Sequence, residues 1–329
     1  MTLIAPTIQA FFTDYLLAQR QLSPNTIRAY RDTWKLLLTY ISDETGTPVC
    51  RITIEQVEHD HVAAFLTWLE TSRGNTVTTR NARLAAIHAW CDYTARMLPQ
   101  HVADLARISA IPVKKHPRPD LSWLTDTETQ ALLDAIPTST WTGRRDHALL
   151  ALAAHTGLRV SEIAALTTAD LQLVSPAHVA CRGKGRKRRV TPITTALAGM
   201  LAAYLNERST KPGHALFPGP AGQAMSTDAI THRLAIHLQA ASLACPTLTS
   251  KHVTMHTLRH TAAMRFLHAG IDTSVIALWL GHEQIATTGV YLHADLTIKQ
   301  RALDRTRPPD VPAGPYQPDD TLLTWLNNL

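Results

Sequence analysis

Residues 107–122, RISAIPVKKHPRPDLS, hold three prolines and five basic side chains. Each proline fixes its own φ and removes a backbone donor, so the stretch predicts an extended, charged linker. It divides the chain into two folding units. That division agrees with 329 residues taken at roughly 150 per domain.

Ahead of the linker, residues 1–106 read as one helical unit. Ser23 is a natural N-cap and Pro24 suits the first helical position. Ile27, Tyr30, Trp34, Leu37 and Ile41 then recur at three- and four-residue steps, until Gly46 and Pro48 end the helix. Asp60 is the expected cap of a second helix that turns Val62, Phe65, Leu66 and Leu69 inward. A third helix runs from about Thr76 to Met97, with Leu84, Ile87 and Cys91 on its apolar face. Arg73, Arg80 and Arg83 sit near its start, on the polar side. No strand period is present in this half.

Beyond the linker, Thr125 and Glu128 form a capping box that opens a second domain, residues 123–305. Helices are expected near 126–136, 144–156, 160–167, 194–209, 227–243, 257–269, 273–281 and 284–293. The exception is 177–193, AHVACRGKGRKRRVTPI. There Val179 and Cys181 precede a glycine-containing basic turn and Val190 and Ile193 follow it, the pattern of a β-hairpin. Residues 306–329 form a proline-rich arm that ends in an apolar stripe, Leu322, Leu323, Leu326 and Leu329. The fold class is mainly α, with a small β-hairpin or sheet in the second domain.

A formal charge of +6 favours a polyanionic partner, nucleic acid or anionic membrane. No apolar run approaches the ~20 residues needed to cross a bilayer. The opening MTLIAPTIQAFF has no basic residue ahead of its apolar stretch, unlike a signal peptide. A cytoplasmic protein with no membrane partner is expected. Cys50, Cys91, Cys181 and Cys245 form no C-x-x-C pair and read as reduced, buried thiols. The 17 histidines raise metal binding as a question. With no H-E-x-x-H and no carboxylate cluster suited to Mg²⁺, neither a metal nor a cofactor is expected. His147, His155, His178 and His237 read as packing or surface residues, and His260 and His293 border more specific segments without assigned chemistry.

Those segments are TGLRVSE (156–162), RGKGRK (182–187), HTLRH (256–260) and LGHEQIATTGVYLH (280–293). Taken singly they describe a helix-end arginine, a solvated basic loop, a polar helix face and a core tyrosine. In this order, with His282 following Arg259 by 23 positions and Tyr291 following His282 by 9, they are far more specific. The chain resembles the tyrosine recombinases, which include phage integrases and the bacterial enzymes that resolve chromosome dimers. The first half joins the resemblance through Ser-Pro-Asn-Thr-Ile-Arg-Ala-Tyr (23–30) and Thr-Arg-Asn-Ala-Arg-Leu (79–84). The resemblance implies a two-domain DNA clamp, with an N-terminal helical, SAM-like core-binding domain and a C-terminal catalytic domain. It implies that Arg159, Lys184, His256, Arg259, His282 and Tyr291 are the active-site set, with Glu162 as an accessory acid.

Each residue type suits that chemistry. Attack on a phosphodiester spreads negative charge over the equatorial oxygens, and two arginines such as Arg159 and Arg259 can hold those oxygens through paired N–H donors. His256 and Arg259 are three residues apart, so a helix turns both to one face. His282, just after Gly281, can donate to phosphate or take the nucleophile's proton. Tyr291 has an ordinary phenol pKa near 10 and needs cationic neighbours or a base to attack phosphorus. By analogy, Lys184 on the hairpin turn protonates the leaving 5′ oxygen, and Lys187 is an alternative because the hairpin's register is open. Glu162 either orients an active-site cation or forms an exposed i,i+3 ion pair.

Six of the eight residues from Arg182 to Arg189 are basic, so Arg182, Arg186, Lys187, Arg188 and Arg189 are candidate phosphate contacts. Arg73, Arg80 and Arg83 offer the first domain a similar surface, and Lys114 and Lys115 let the linker track the backbone. The expected partner is duplex DNA with paired recombination sites. The resemblance adds a homotetramer, or a heterotetramer with a related recombinase, linked by the terminal stripe docking into a neighbour. The chain starts almost directly in the DNA-clamping unit, which favours a simple or mobile-element recombinase acting in integration, excision, resolution or transposition. The alternatives are a type IB topoisomerase, a DNA-binding regulator of the same fold without the chemistry, and a metal-dependent nuclease.

Overall fold

The computed structural model describes residues 2–115, 121–183, 188–207 and 214–281. They belong to two compact units, Met1–Pro119 and Asp120–Leu329.

The first unit packs α1 (Ile4–Ala10), α2 (Pro24–Thr45), α3 (His59–Thr71), α4 (Val77–Met97) and α5 (Val102–Ser109) around one core. A wider, π-type coil over Phe11–Gln19 continues α1 and closes when the Arg20 N–H donates to the Tyr15 carbonyl at 2.7 Å. As the spacing predicts, Ser23 caps α2, its Oγ accepting from the Thr26 N–H at 3.2 Å, and Gly46 ends it at φ +66°. Trp34, Leu37 and Ile41 of α2 meet Val62, Phe65, Leu66 and Leu69 of α3 and Leu84, Ile87 and Trp90 of α4 in the buried core. Trp34 and Trp90 pack edge to face with ring centroids 4.8 Å apart.

Two expectations for this unit change. Asp60 does not cap α3: the helix begins after Glu58 with no side-chain cap, and Asp60 sits in the first turn bonded to His59 Nδ1 at 2.8 Å. Helical structure also continues past residue 106, because α5 runs to Ser109 and buries Ile108, and Ile111 follows it into the core. The apolar side chains of that segment outweigh its basic composition.

The second unit is built around α7 (Trp141–Thr156), whose residues Ala148–Ala154 are all buried. A helix apolar on every side belongs at the centre of a core. Around it lie α6 (Asp126–Asp134), α8 (Val160–Ala165), α9 (Thr195–Asn206), α10 (Thr227–Ala244), α11 (Met255–His268) and α12 (Thr273–Leu280). The capping box opening α6 is present: Thr125 Oγ1 accepts from the Glu128 N–H at 3.1 Å and Glu128 Oε2 accepts from the Thr125 N–H at 2.8 Å. Asp146 on α7 is a buried junction. Its carboxylate accepts from Arg145 of the same helix and from Arg233 and His237 of α10, while Arg145 Nη1 reaches the Pro218 carbonyl at 2.9 Å.

The hairpin is present as β2 (His178–Arg182) and β3 (Arg188–Pro192), and a short β1 (Leu171–Gln172) adds a third antiparallel strand in the order β1-β2-β3. Its register differs in one respect from the apolar reading. Val179 pairs with Thr191 and Cys181 with Arg189, so Thr191 is buried while Val190 is 54% exposed. Side chains alternate along a strand, so this register turns Val190 outward and Arg189 toward the interior. All four cysteines are free thiols; Cys91 and Cys181 are buried, but Cys50 is exposed. Among the described residues no helix is long and apolar enough to cross a membrane.

Candidate active site

The site begins where α7 ends. Gly157 takes φ +65°, and a Cβ there would lie 2.7 Å from Leu280 Cδ2 and 3.1 Å from the Ala262 Cβ. Both the left-handed backbone and the close approach of α11 and α12 call for glycine. The chain then turns through buried Leu158 to Arg159, at the threshold of α8.

Glu162, one turn along, is not an exposed ion-pair partner: its side chain is 3% exposed and four donors surround it. Its Oε2 accepts from the Arg159 backbone N–H at 2.7 Å and from Arg189 Nη2 at 2.8 Å. Its Oε1 accepts from Arg159 Nη1 at 3.0 Å and from Arg189 Nη1 at 2.7 Å. Burial raises the carboxyl pKa, but the hydrogen bonds from Arg189 and the Arg159 N–H, with the charges of both guanidiniums, hold it below the usual range. The acid is therefore ionised at neutral pH and bridges two cations.

The second arginine comes from α11. Arg259 is 2% exposed and donates through Nη1 to the Gly157 carbonyl and through Nη2 to the Leu280 carbonyl, both at 2.6 Å. Arg159 Nη2 donates to the next carbonyl, Gly281 O, at 3.1 Å. Gly281 ends α12 at φ +65° and lies against Arg189, whose Nη1 would be 2.6 Å from a Cβ at that position. Two guanidiniums distant in sequence are thus seated on adjacent carbonyls of one helix terminus.

His256 lies one turn before Arg259 on α11 and reaches the surface. Enclosure of its ring, then the charges of Arg259 and Arg159, lower its pKa, so it is neutral at pH 7 and able to take a proton. His260 sits beside it, ring centroids 4.3 Å apart and nearly perpendicular. Burial, then His256 and Arg259, bring His260 down to about 4. The structure therefore gathers Arg159, Glu162, His256 and Arg259. Lys184, Arg186, Lys187, His282 and Tyr291, with the helix expected at 284–293 and the arm 306–329, lie outside the described residues, as does the side chain of Arg182. Among the described residues no group of three or more His, Cys, Asp or Glu side chains is placed to hold a metal ion.

The basic residues read as phosphate contacts divide sharply. Arg73 is exposed, its guanidinium 5.5 Å from the Trp68 ring centroid, and Lys115 and Arg188 are exposed as well. Arg83 is half-buried. Lys114 is paired with Glu70 at 2.6 Å. Arg80 departs from the polar face expected for it: it is 5% exposed, with Nη1 donating to the Pro112 carbonyl at 3.0 Å. Arg189 is likewise turned inward, onto Glu162. Composition marks both as solvent-facing, and register and tertiary packing turn them inward.

Sequence models of two families match the chain: the phage integrase family over residues 122–297, and the phage integrase N-terminal SAM-like domain over residues 9–97. The chain belongs to the phage integrase family. It is a tyrosine-type site-specific recombinase, mainly helical with a small antiparallel sheet. A protein of Sinorhizobium fredii named as an integrase/recombinase, y4rC, is 43% identical over 326 residues, covering 99% of the recombinase and 98% of that protein. The tyrosine recombinase XerC of Chlamydia trachomatis is 31% identical over 317 residues, covering 90% and 96%. The Tn1549 transposon integrase in complex with transposon right end DNA shares the fold at a TM-score of 0.68 and 18% identity, covering 93% of the recombinase and 99% of that chain.

Proposed function

We propose that this recombinase cuts and rejoins duplex DNA through a covalent 3′-phosphotyrosine link made by Tyr291. The observation that carries the proposal is the seating of Arg159 and Arg259 on the adjacent carbonyls of Gly281 and Leu280, immediately before His282 in the chain. Arg159, whose side chain is 35% exposed, meets a non-bridging oxygen of the scissile phosphate. Buried Arg259 adds a positive charge that solvent screens little. Together they stabilise the charge that builds on the equatorial oxygens.

Tyr291 Oη attacks phosphorus and gives its proton to a histidine, His256 or His282. The bond from phosphorus to the 5′ oxygen breaks, and Lys184, with Lys187 as the alternative, protonates the leaving oxygen. A 5′-hydroxyl from the partner strand then attacks the phosphotyrosine, restoring the phosphodiester and the free phenol. The protein–DNA link keeps the energy of the broken bond, so no nucleotide is consumed.

We assign the segment 1–106 to core-site binding and 123–305 to catalysis. Arg73, Arg83, Lys115 and Arg188 contact duplex phosphates, Lys114 does so on leaving Glu70, and Arg182 and Arg186 add further phosphate contacts. Four protomers on two DNA sites, joined through Leu322–Leu329, complete the assembly. The likeness to y4rC and to a transposon integrase bound to transposon DNA supports a task in integration, excision, resolution or transposition of a mobile element.

Covalent trapping tests the chemistry. Wild type and Tyr291→Phe are incubated in EDTA with nicked duplexes carrying the sequences that flank the gene, and products are resolved on denaturing gels. A protein–DNA band in wild type that is absent from the variant is expected. A band that survives the substitution, or cleavage that needs Mg²⁺, overturns the proposal.

A further inference from the structure

Arg189 touches both groups that hold Arg159. It takes one oxygen of Glu162 with Nη1 at 2.7 Å and the other with Nη2 at 2.8 Å, the paired fork that an arginine makes and a lysine cannot. The same two oxygens receive the backbone N–H and Nη1 of Arg159. The second anchor of Arg159 is the carbonyl of Gly281, and Arg189 packs so close beneath that glycine that any Cβ there would collide with its guanidinium. The Arg189 side chain is 14% exposed, and Glu162, at 3%, is almost closed to solvent.

We propose that Arg189 is a positioning residue for strand cleavage, fixing Arg159 through Glu162 on one side and the Gly281 turn on the other. This rests on the reading of Arg159 as a phosphate ligand and reassigns Arg189, which the sequence marks only as one more basic residue of the hairpin. Glu162 alone carries one negative charge. Between two guanidiniums each of its oxygens has two donors, and Arg159 inherits that order. Without Arg189 each carboxylate oxygen keeps a single donor, from Arg159, and Gly281 loses the surface that supports its turn. The cost then falls on the alignment of Arg159 at the phosphate, where small displacements matter.

The test compares wild type, Arg189→Met and Arg189→Lys on duplexes of the gene's flanking sequence. Each duplex carries either a phosphodiester or an uncharged methylphosphonate at the scissile position, and the salt dependence of binding is measured in parallel. Arg189→Met is expected to slow covalent complex formation on the phosphodiester by roughly tenfold to a hundredfold, short of the loss of a whole preorganised donor. On the methylphosphonate, which has less charge for Arg159 to neutralise, the loss is expected to be several times smaller. The slope of log K against log salt is expected to stay unchanged, because Arg189 faces Glu162 and not the DNA. Arg189→Lys, which keeps the charge but not the fork, is expected to fall between, and it carries the test if Arg189→Met does not fold.

Cleavage at the wild-type rate overturns the proposal. Equal slowing on both substrates overturns it in favour of a structural role, and a salt slope smaller by about one overturns it in favour of a phosphate contact. If wild type forms no Tyr291-dependent complex on either duplex, the phosphotyrosine reading itself fails and this inference falls with it.

Discussion

Arg159 and Arg259 donate to neighbouring carbonyls of one helix end, Gly281 O at 3.1 Å and Leu280 O at 2.6 Å. The backbone of α12 therefore serves as a common rail for two side chains that are a hundred residues apart in the chain. A rail of this kind sets the spacing of two charges before any phosphate arrives, which is the condition under which donors contribute most to a transition state.

Arg159→Lys tests the rail directly. Lysine retains the charge but cannot reach Glu162 and Gly281 O together from one planar fork. Cleavage should fall by roughly a hundred- to thousandfold. The Arg159 side chain is 35% exposed, and Glu162 keeps its Arg189 partner, so unfolding should shift by no more than about 1 kcal/mol. A loss of stability equal to the loss of activity would show that Arg159 is part of the scaffold.

The two glycines make a paired prediction. Gly157→Ala forces a left-handed alanine and a Cβ 2.7 Å from Leu280, and should cost about 2–4 kcal/mol in denaturant unfolding. Gly281→Ala meets the guanidinium of Arg189 at 2.6 Å, a side chain that can swing aside. It should destabilise less, by about 1–2 kcal/mol for the backbone strain alone, yet displace Arg189 and lower cleavage strongly. Equal effects of the two substitutions on both assays would contradict this division.

Much of this was readable from residue order. The α2 helix declares itself through Ser23, Pro24 and a 3.6-residue apolar period, and the box Thr125–Glu128 marks where α6 begins. The three-residue step from His256 to Arg259 puts both on α11, as the spacing requires. What was not readable is which way a basic side chain points. Arg189 turns inward because Cys181, its partner across the ladder, is buried and because an ionised Glu162 waits there, facts of register and tertiary contact that hairpin composition does not encode. The same holds for Arg80: position on a helix face says where a guanidinium starts, and the Pro112 carbonyl decides where it ends.

Arg73 and Arg80 should accordingly behave differently, although both are arginines near the start of α4. Arg73→Ala removes an exposed charge and should lower the salt slope of duplex binding by about one while leaving stability nearly unchanged. Arg80→Ala removes a buried guanidinium that ties Pro112 to α4. It should cost about 1.5–3 kcal/mol, the range for a hydrogen bond to a charged group, and leave the slope alone. Fluorescence anisotropy across a salt series, with urea unfolding of the same samples, separates the two. A reduced slope for Arg80→Ala would place its side chain on the DNA after all.

Asp146 supplies the pH dependence. Its carboxylate is fully enclosed; burial raises its pKa, but hydrogen bonds from His237, Arg145 and Arg233 and the Arg145 charge bring the net value below the ordinary range. A carboxyl with a depressed folded pKa stabilises fully above its unfolded value, about 4 for aspartate, and that contribution is lost as pH falls through the folded value. Wild-type stability should therefore decline on acidification below about pH 4. Asp146→Asn should be less stable at neutral pH by about 3–5 kcal/mol, because the guanidinium of Arg145 is left buried without its counter-charge. The deficit should shrink as pH drops, since protonation brings wild type to the same neutral state as the variant. Urea midpoints for both proteins between pH 7 and pH 3 measure this convergence. A gap that stays constant would mean that Asp146 acts through shape and hydrogen bonding, not through charge.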